Sequence, residues 1–101
     1  MDNNRIVLIT GATSGIGEAT ARLLAKHEFE LILCGRRKDR LQNLSDELSQ
    51  LTKVTTLAFD VRNANDVRTA INSLSEEWKS IDVLINNAGN AHGLSPIQSG
   101  S

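Results

Sequence analysis

Residues 8–17 read LITGATSGIG, an apolar segment that runs directly into a turn with glycine at positions 11, 15 and 17. The residues before the turn are continuously apolar, as in a strand whose two faces are both buried in a parallel sheet. After the turn, the apolar residues follow helical spacing. We therefore predict a strand at 5–10, a glycine turn, and a helix at 15–27.

Strand and helix patterns continue to alternate as far as residue 86. Further strands are predicted at 31–35, 54–59 and 82–86, with a second helix after the first of these and a third at 63–78, where Asn63 is the N-cap. The order β-α-β-α-β-α-β predicts an α/β fold, a Rossmann-type doubly wound parallel sheet with right-handed crossovers and helices on both faces. The residues expected on the buried stripes of the three helices are Ile16, Ala19, Leu23 and Leu24, then Leu41, Leu44, Leu48 and Leu51, then Val67, Ala70, Ile71, Leu74 and Trp78.

Composition and charge indicate one ordinary globular domain at most. The chain has 101 residues, of which 40% are hydrophobic, and 11 basic residues stand against 12 acidic ones. This balance gives no electrostatic case for binding nucleic acid or an anionic membrane, and no apolar run approaches the ~20 residues of a membrane span. The polar start and the single cysteine, Cys34, favour a cytoplasmic location, with Cys34 as a buried core thiol.

The glycine turn is a candidate phosphate-binding site, because the first N–H groups of a helix have no intrahelical partner. A side chain at Gly11 would oppose the tight turn, and one at Gly15 would hold a pyrophosphate away from those N–H groups. One at Gly17 would obstruct close helix–strand packing. The spacing is G-x-x-x-G-x-G rather than the commoner G-x-G-x-x-G, and a structural turn that binds nothing is the alternative. The position between a strand and a helix favours dinucleotide binding.

The end of the second predicted strand reads Gly35-Arg36-Arg37-Lys38. Proteins that bind NAD place an acidic residue near this point, where it accepts from the ribose 2′-hydroxyl. A carboxylate would repel a 2′-phosphate, whereas guanidinium groups pair with one bidentately. The alternative is a solvated basic start to the following helix, which is disfavoured because cations are destabilising at a helix N-terminus. The basic run therefore favours NADP(H) over NAD(H).

Three motifs on this framework resemble those of the short-chain dehydrogenases/reductases. Residues 10–17, TGATSGIG, look like that family's T-G-x-x-x-G-x-G signature, and residues 86–89, NNAG, match its N-N-A-G motif. Asp60-Val61 stands where the family has an aspartate after the third strand. The resemblance covers essentially the whole chain. Within the family, residues 33–48, 59–63 and 85–96 look similar to the NADP-dependent serine/3-hydroxy acid dehydrogenases.

The resemblance implies a cofactor site for NADP (NADPH). The glycine turn would wrap the pyrophosphate and the adenosine ribose, and Asp60 would accept a hydrogen bond from the adenine amino group. An ordinary strand-end turn is the alternative role for Asp60, and Asn86 is expected to tie neighbouring strands together. The implied cofactor residues are Gly11, Ala12, Thr13, Ser14, Gly15, Ile16, Gly17, Arg36, Arg37, Asp60, Val61, Asn87, Ala88 and Gly89.

The residues that catalyse the family's reaction have no counterpart in this sequence. That reaction needs a serine, and a tyrosine and a lysine in a Y-x-x-x-K motif, all well after N-N-A-G. The chain has no tyrosine and ends twelve residues after Gly89, so no catalytic or metal-binding residue is assigned. His92, a nearby base, is interpreted as a solvated or packed side chain. We interpret residues 1–101 as the N-terminal, NADP-binding part of a single domain, inactive without the remainder.

The function implied for the whole protein is that of an NADP-dependent oxidoreductase. It would transfer hydride between NADP(H) and a small hydroxy or carbonyl substrate, such as serine, allo-threonine or another 3-hydroxy acid. Family members are commonly homotetramers, and the same is expected here. Two alternatives remain: a catalytically inactive NADP(H)-binding sensor, and an interaction module whose glycine turn binds nothing.

Overall fold

The predicted alternation of strands and helices is confirmed by the computed structural model, which describes residues 5–60 and 62–87. Val61, Ala88, Gly89 and His92 lie outside these ranges. The elements in chain order are β1 (Ile6–Thr10), α1 (Gly15–Lys26), β2 (Glu30–Gly35), α2 (Lys38–Leu48), β3 (Val54–Ala58), α3 (Ala64–Asn72), a short 3₁₀ helix (Glu76–Trp78) and β4 (Val83–Asn86).

The four strands form one parallel sheet in the order β3-β2-β1-β4. In the centre of the sheet, Leu8 of β1 lies opposite Ile32 of β2 and Leu84 of β4. The chain first adds strands on one side of β1 and then crosses to the other side, so the strand order reverses between β1 and β4. In sheets of this kind, ligands bind at the carboxyl ends of the strands beside such a reversal.

Helices cover both faces of the sheet, as predicted. Alternate residues of β1 and β2 point to opposite faces, and both sets are buried because each face has its own helices. The residues buried on the face covered by α1 and α2 include Val7, Ile9, Leu31, Leu33, Leu41, Leu44 and Leu48. Those buried on the face covered by α3 and the 3₁₀ helix include Ile6, Leu8, Ile32, Cys34, Val67, Leu74 and Trp78.

Small residues, and not the predicted stripe of large ones, form the buried face of α1. Gly17, Ala21 and Ala25 are buried, whereas Ile16 and Leu23 are 75% and 56% exposed. The prediction of an Ile16, Ala19, Leu23 and Leu24 stripe was therefore wrong, except that Leu24 packs partly buried against the core. The physical reason is that α1 starts in close contact with the glycine turn, and only small side chains permit that approach.

The second and third helices are shorter than predicted. The third helix ends at Asn72, where the Ser73 hydroxyl donates to the Ala70 carbonyl oxygen at 2.6 Å, and the chain re-forms only one 3₁₀ turn at residues 76–78. Leu74 and Trp78 are still buried, because the 3₁₀ turn returns them to the same face of the sheet. The second helix ends at Leu48, so Leu51 lies beyond it and is 51% exposed, contrary to the prediction.

Cys34 is fully buried in β2, as expected for a core thiol. Burial raises the pKa of its thiol, which keeps the group protonated and chemically inert. Within residues 5–60 and 62–87, no helix has the length and apolar character that crossing a bilayer requires.

Candidate functional site

The turn after β1 adopts a conformation that requires glycine at its first position. Gly11 has φ of 62°, in the left-handed region that other residues avoid. Its carbonyl oxygen accepts from the Ser14 N–H at 3.1 Å and from the Ser14 hydroxyl at 2.7 Å. The Ala12 N–H donates to the Cys34 carbonyl oxygen at 3.0 Å, which ties the turn to β2. The turn is therefore fixed by its own hydrogen bonds, and the prediction for Gly11 is confirmed.

The other two glycines of the turn differ in the space available for a side chain. A Cβ at Gly17 would collide with the Gly11 carbonyl oxygen, so packing excludes any side chain there, as predicted. A Cβ at Gly15 would meet no atom within 4 Å. Packing of the chain therefore does not explain the glycine at position 15, and the open space beside it adjoins the start of α1.

The N-terminus of α1 is left without a side-chain cap. Its N-cap residue, Ser14, makes no capping hydrogen bond, because its hydroxyl donates to the Gly11 carbonyl oxygen instead. The N-cap of α3 behaves differently, since the Asn63 side chain accepts from the N–H groups of Asn65 and Asp66 at 3.0 and 3.2 Å. The first N–H groups of α1 thus remain available to an anion, whereas those of α3 are already satisfied.

The structure brings the glycine turn and the basic run after β2 together around one cavity of about 410 Å³. Three of the residues around it, Gly35, Arg40 and Phe59, were not among the predicted cofactor residues, although Gly35 directly precedes the predicted arginine pair. Arg40, the third residue of α2, follows the N-cap residue Arg37 by three residues, a spacing that puts the two on the same side of the helix start. That spacing is a signal that could have identified Arg40. The residues that line the cavity are Gly11, Thr13, Ser14, Gly35, Arg36, Arg37, Arg40 and Phe59.

These arginines have no salt-bridge partner within residues 5–60 and 62–87, although the charge of Arg36 acts on Asp60. Arg36, Arg37 and Arg40 are exposed and form no ion pair with any of those residues. Elsewhere, Arg22 pairs with Glu18 and Glu47, and Arg62 pairs with Asp60. The cavity is therefore lined by three cations without an acidic partner, beside an uncapped helix N-terminus.

Asp60 stabilises the turn that follows β3. This is the alternative role that the sequence left open for it. Its Oδ1 accepts from the Arg62 backbone N–H at 3.0 Å and from Nε at 3.1 Å, and its Oδ2 accepts from the guanidinium at 3.0 Å. These hydrogen bonds, with a smaller contribution from the charge of Arg36, lower the pKa of the Asp60 carboxyl to about 2. Asp60 does not line the 410 Å³ cavity, although the preceding residue, Phe59, does. Contact of Asp60 with adenine stays a prediction.

The two asparagines at the end of β4 have different surroundings. The Thr10 hydroxyl donates to Asn86 Oδ1 at 2.8 Å, so Asn86 ties β4 to β1, as predicted. The side-chain nitrogen of Asn87 is buried and has no hydrogen-bond partner among the described residues. A buried donor of this kind is destabilising unless an acceptor reaches it. Asn87 lies immediately after β4, beside the reversal of strand order.

A family model described as short chain dehydrogenase matches residues 5–100. The chain belongs to the short-chain dehydrogenase family. The glycine turn, the parallel sheet and the asparagines after β4 are thus features of a short-chain dehydrogenase, as the sequence motifs indicated. No described residues of this family member form a cluster of His, Cys, Asp or Glu able to hold a metal ion.

Two curated relatives and one solved structure illustrate the similarity. Over 93 residues, the chain is 48% identical to sulfoacetaldehyde reductase 2 of Chromohalobacter salexigens, covering 92% of this chain and 37% of that protein. It is 47% identical over 96 residues to the NADP-dependent 3-hydroxy acid dehydrogenase YdfG of Salmonella typhimurium, covering 95% and 38%. The closed form of serine dehydrogenase complexed with NADP+ superposes with a TM-score of 0.69 at 43% identity, covering 78% and 31%.

The chain thus spans little more than a third of the length of these two curated relatives. What it contains of the short-chain dehydrogenase fold is the glycine turn, the arginines after β2 and the carboxyl end of β4. These features fit an anionic dinucleotide, because the open space at Gly15, the free N–H groups of α1 and the unpaired arginines all favour phosphate. The buried nitrogen of Asn87 offers such a ligand one further donor.

Proposed function

We propose that this chain is the N-terminal, cofactor-binding part of an NADP-dependent oxidoreductase that acts on a hydroxy or carbonyl substrate. The observation that carries the proposal is the 410 Å³ cavity, in which three arginines without acidic partners lie beside the glycine turn. A ligand there would be expected to carry phosphate at two places, one facing the turn and one facing the arginines. The names of two similar proteins, one NADP-dependent and one solved with NADP+, support the same cofactor.

The proposed role of the chain's own residues is to bind and orient the cofactor. When bound, NADP(H) supplies or accepts the hydride. The first N–H groups of α1 would hold its pyrophosphate, and the guanidinium groups of Arg36 and Arg37 would hold its 2′-phosphate. The residues proposed to contact the cofactor are those from Gly11 to Gly17, then Arg36 and Arg37, Asp60 and Val61, and Asn87, Ala88 and Gly89.

The proposed substrate is a small acid in which a single carbon separates the reacting carbon from the carboxylate or sulfonate group. The names of the similar proteins support this class, since sulfoacetaldehyde, 3-hydroxy acids and serine all have that arrangement. Serine, allo-threonine and other 3-hydroxy acids are therefore the first compounds to try, in the direction of NADP+ reduction. The corresponding 3-oxo acids and sulfoacetaldehyde are the first to try in the direction of NADPH oxidation.

The rest of the proposal concerns the whole protein. The family's serine, tyrosine and lysine are proposed to belong to the remainder of the same domain, so that residues 1–101 alone would be inactive. The two curated relatives named above support this view, since the chain spans little more than a third of each. We further propose a cytoplasmic homotetramer, in keeping with the single, buried cysteine of the chain.

Gly15→Val in the full-length protein tests the proposed binding site. Because a Cβ at position 15 meets no neighbouring atom, the substitution should leave the fold intact and fill the space proposed for the pyrophosphate. We expect the fluorescence titration with NADPH to show at least a tenfold loss of affinity. The melting temperature should change no more than it does in Ala19→Val, an exposed substitution on the same helix.

Retention of NADPH affinity in Gly15→Val would contradict the proposed pyrophosphate site. A wild-type protein that binds NADPH but turns over none of the named hydroxy or oxo acids would favour the inactive sensor instead.

A further inference from the structure

Arg40 is held rigidly beside the cavity by the first turn of α2. The Leu41 N–H donates to the Arg37 carbonyl oxygen at 3.0 Å, and the Leu41 side chain is fully buried against the sheet. The backbone on either side of Arg40 is therefore fixed by a helical hydrogen bond and by the core. Its guanidinium reaches the cavity from a helix, whereas Arg36 lies in the connection before α2.

Arg40 has no acidic partner among the described residues, although two glutamates share a second cavity with it. This cavity, of about 360 Å³, is also lined by Glu18, Arg22 and Glu47. Arg22 donates to both oxygens of Glu47, at 2.8 and 3.0 Å, and pairs with Glu18 at 3.1 Å. Both carboxylates pair with Arg22 and neither forms an ion pair with Arg40, so the Arg40 guanidinium stays available to a ligand in the first cavity.

The position of Arg40 in α2 also favours an anionic ligand. It is the third residue of the helix, where the positive end of the helix dipole makes a cation unfavourable. Arg37 and Lys38 precede it in the same turn, and Asp39 is the only acidic residue of that turn. A doubly charged phosphate near Arg40 would offset this repulsion and offer several acceptors to the guanidinium.

We propose that Arg40 is a specificity-determining residue that binds the 2′-phosphate of NADP(H) together with Arg36 and Arg37. This inference rests on the proposed cofactor site and deepens it. It assigns the discrimination between NADP(H) and NAD(H) to three arginines. Arg36 and Arg37 precede α2, and Arg40 belongs to α2 itself.

The test uses two fragments of the cofactor that differ in the 2′-phosphate, so that no catalytic activity is needed. Isothermal titration calorimetry measures the binding of 2′,5′-ADP and of 5′-AMP to the full-length protein, to Arg40→Gln and to Arg68→Gln. Arg68 is an exposed arginine on α3, outside both cavities, and serves as the matched control. We expect Arg40→Gln to weaken 2′,5′-ADP about tenfold or more, as for loss of a hydrogen bond to a charged group.

The same substitution should change the affinity for 5′-AMP less than twofold, and Arg68→Gln should change neither ligand. If Arg40→Gln weakens both ligands equally, or no more than Arg68→Gln does, the role of Arg40 is refuted while the proposed cofactor site stands. If the wild-type protein itself does not prefer 2′,5′-ADP to 5′-AMP, the proposed NADP(H) site and the role of Arg40 both fail.

Discussion

At the scale of single residues, the most unusual backbone position outside the glycine turn is Glu28. Its φ of 66° puts a non-glycine residue in the left-handed region just after α1. The Phe29 N–H donates to the Leu24 carbonyl oxygen and the Glu28 N–H to that of Ala25, the pair of hydrogen bonds of a Schellman helix end. Glycine is the residue usually found at this position, because it adopts the conformation without steric cost.

Glu28→Gly is therefore expected to stabilise the protein by about 1 kcal/mol, the approximate cost of the left-handed conformation for an L-residue. Urea unfolding followed by circular dichroism measures the change, with Glu28→Ala as the control. Glu28→Ala removes the same side chain but keeps the strain, so it should give no such gain. Equal stability of the two variants would contradict the argument.

Residue identity also determined which parts of the site could be predicted. Gly11 and Gly17 were predicted because the structure has a strict need for glycine at both positions. A positive φ disfavours other residues at position 11, and a close backbone contact leaves no room for a side chain at position 17. The pair Arg36-Arg37 was predicted because it stands at the end of a strand. Arg40 and Phe59 were missed, since their place in the cavity depends on how α2 and β3 lie beside the turn. The three-residue spacing from Arg37 was a signal for Arg40, whereas no local pattern at Phe59 contains that information.

At the scale of elements, all four strands and the starts of α1 and α3 were predicted, and errors concerned the faces and ends of helices. The buried face of α1 was missed because the period was read from large apolar residues, whereas the contact is made by Gly17, Ala21 and Ala25. The end of α3 was missed because Leu74 and Trp78 keep a helical spacing although the helix has already stopped. Tertiary packing determines both the buried face of α1 and the end of α3, and the local spacing of apolar residues contains no information about that packing.

The N-cap of α3 was predicted correctly and has a measurable energetic role. Asn63→Ala removes the acceptor for two backbone N–H groups and should destabilise the protein by about 1 kcal/mol. Asn65→Ala, an exposed change inside the same helix, should lie within about 0.5 kcal/mol of the wild type. Urea unfolding compares the two variants, and a loss in Asn65→Ala as large as that in Asn63→Ala would contradict the capping role.

At the scale of the whole molecule, the site is assembled from the carboxyl ends of several strands. The glycine turn follows β1, the arginines follow β2, Phe59 follows β3 and Asn87 follows β4. The parallel sheet was predictable because the strands are apolar on both faces, and a parallel sheet brings all these ends to one edge. Short sequence motifs therefore identified a site whose parts are distant along the chain.

The pairing of β1 with both neighbours also has a consequence for the order of folding. Ile6 pairs with Glu30 of β2, 24 residues away, whereas Thr10 and Asn86, which join β1 to β4, are 76 residues apart. Closing the longer loop costs about 1 kcal/mol more chain entropy, so the β1–β4 seam should form after the β1–β2 pair and open before it. Native-state hydrogen exchange should show lower protection for the amides of β4 than for those of β2. Equal protection would mean that the sheet opens as one unit, and a less protected β4 would mean that the strand that carries Asn86 separates from β1 before β2 does.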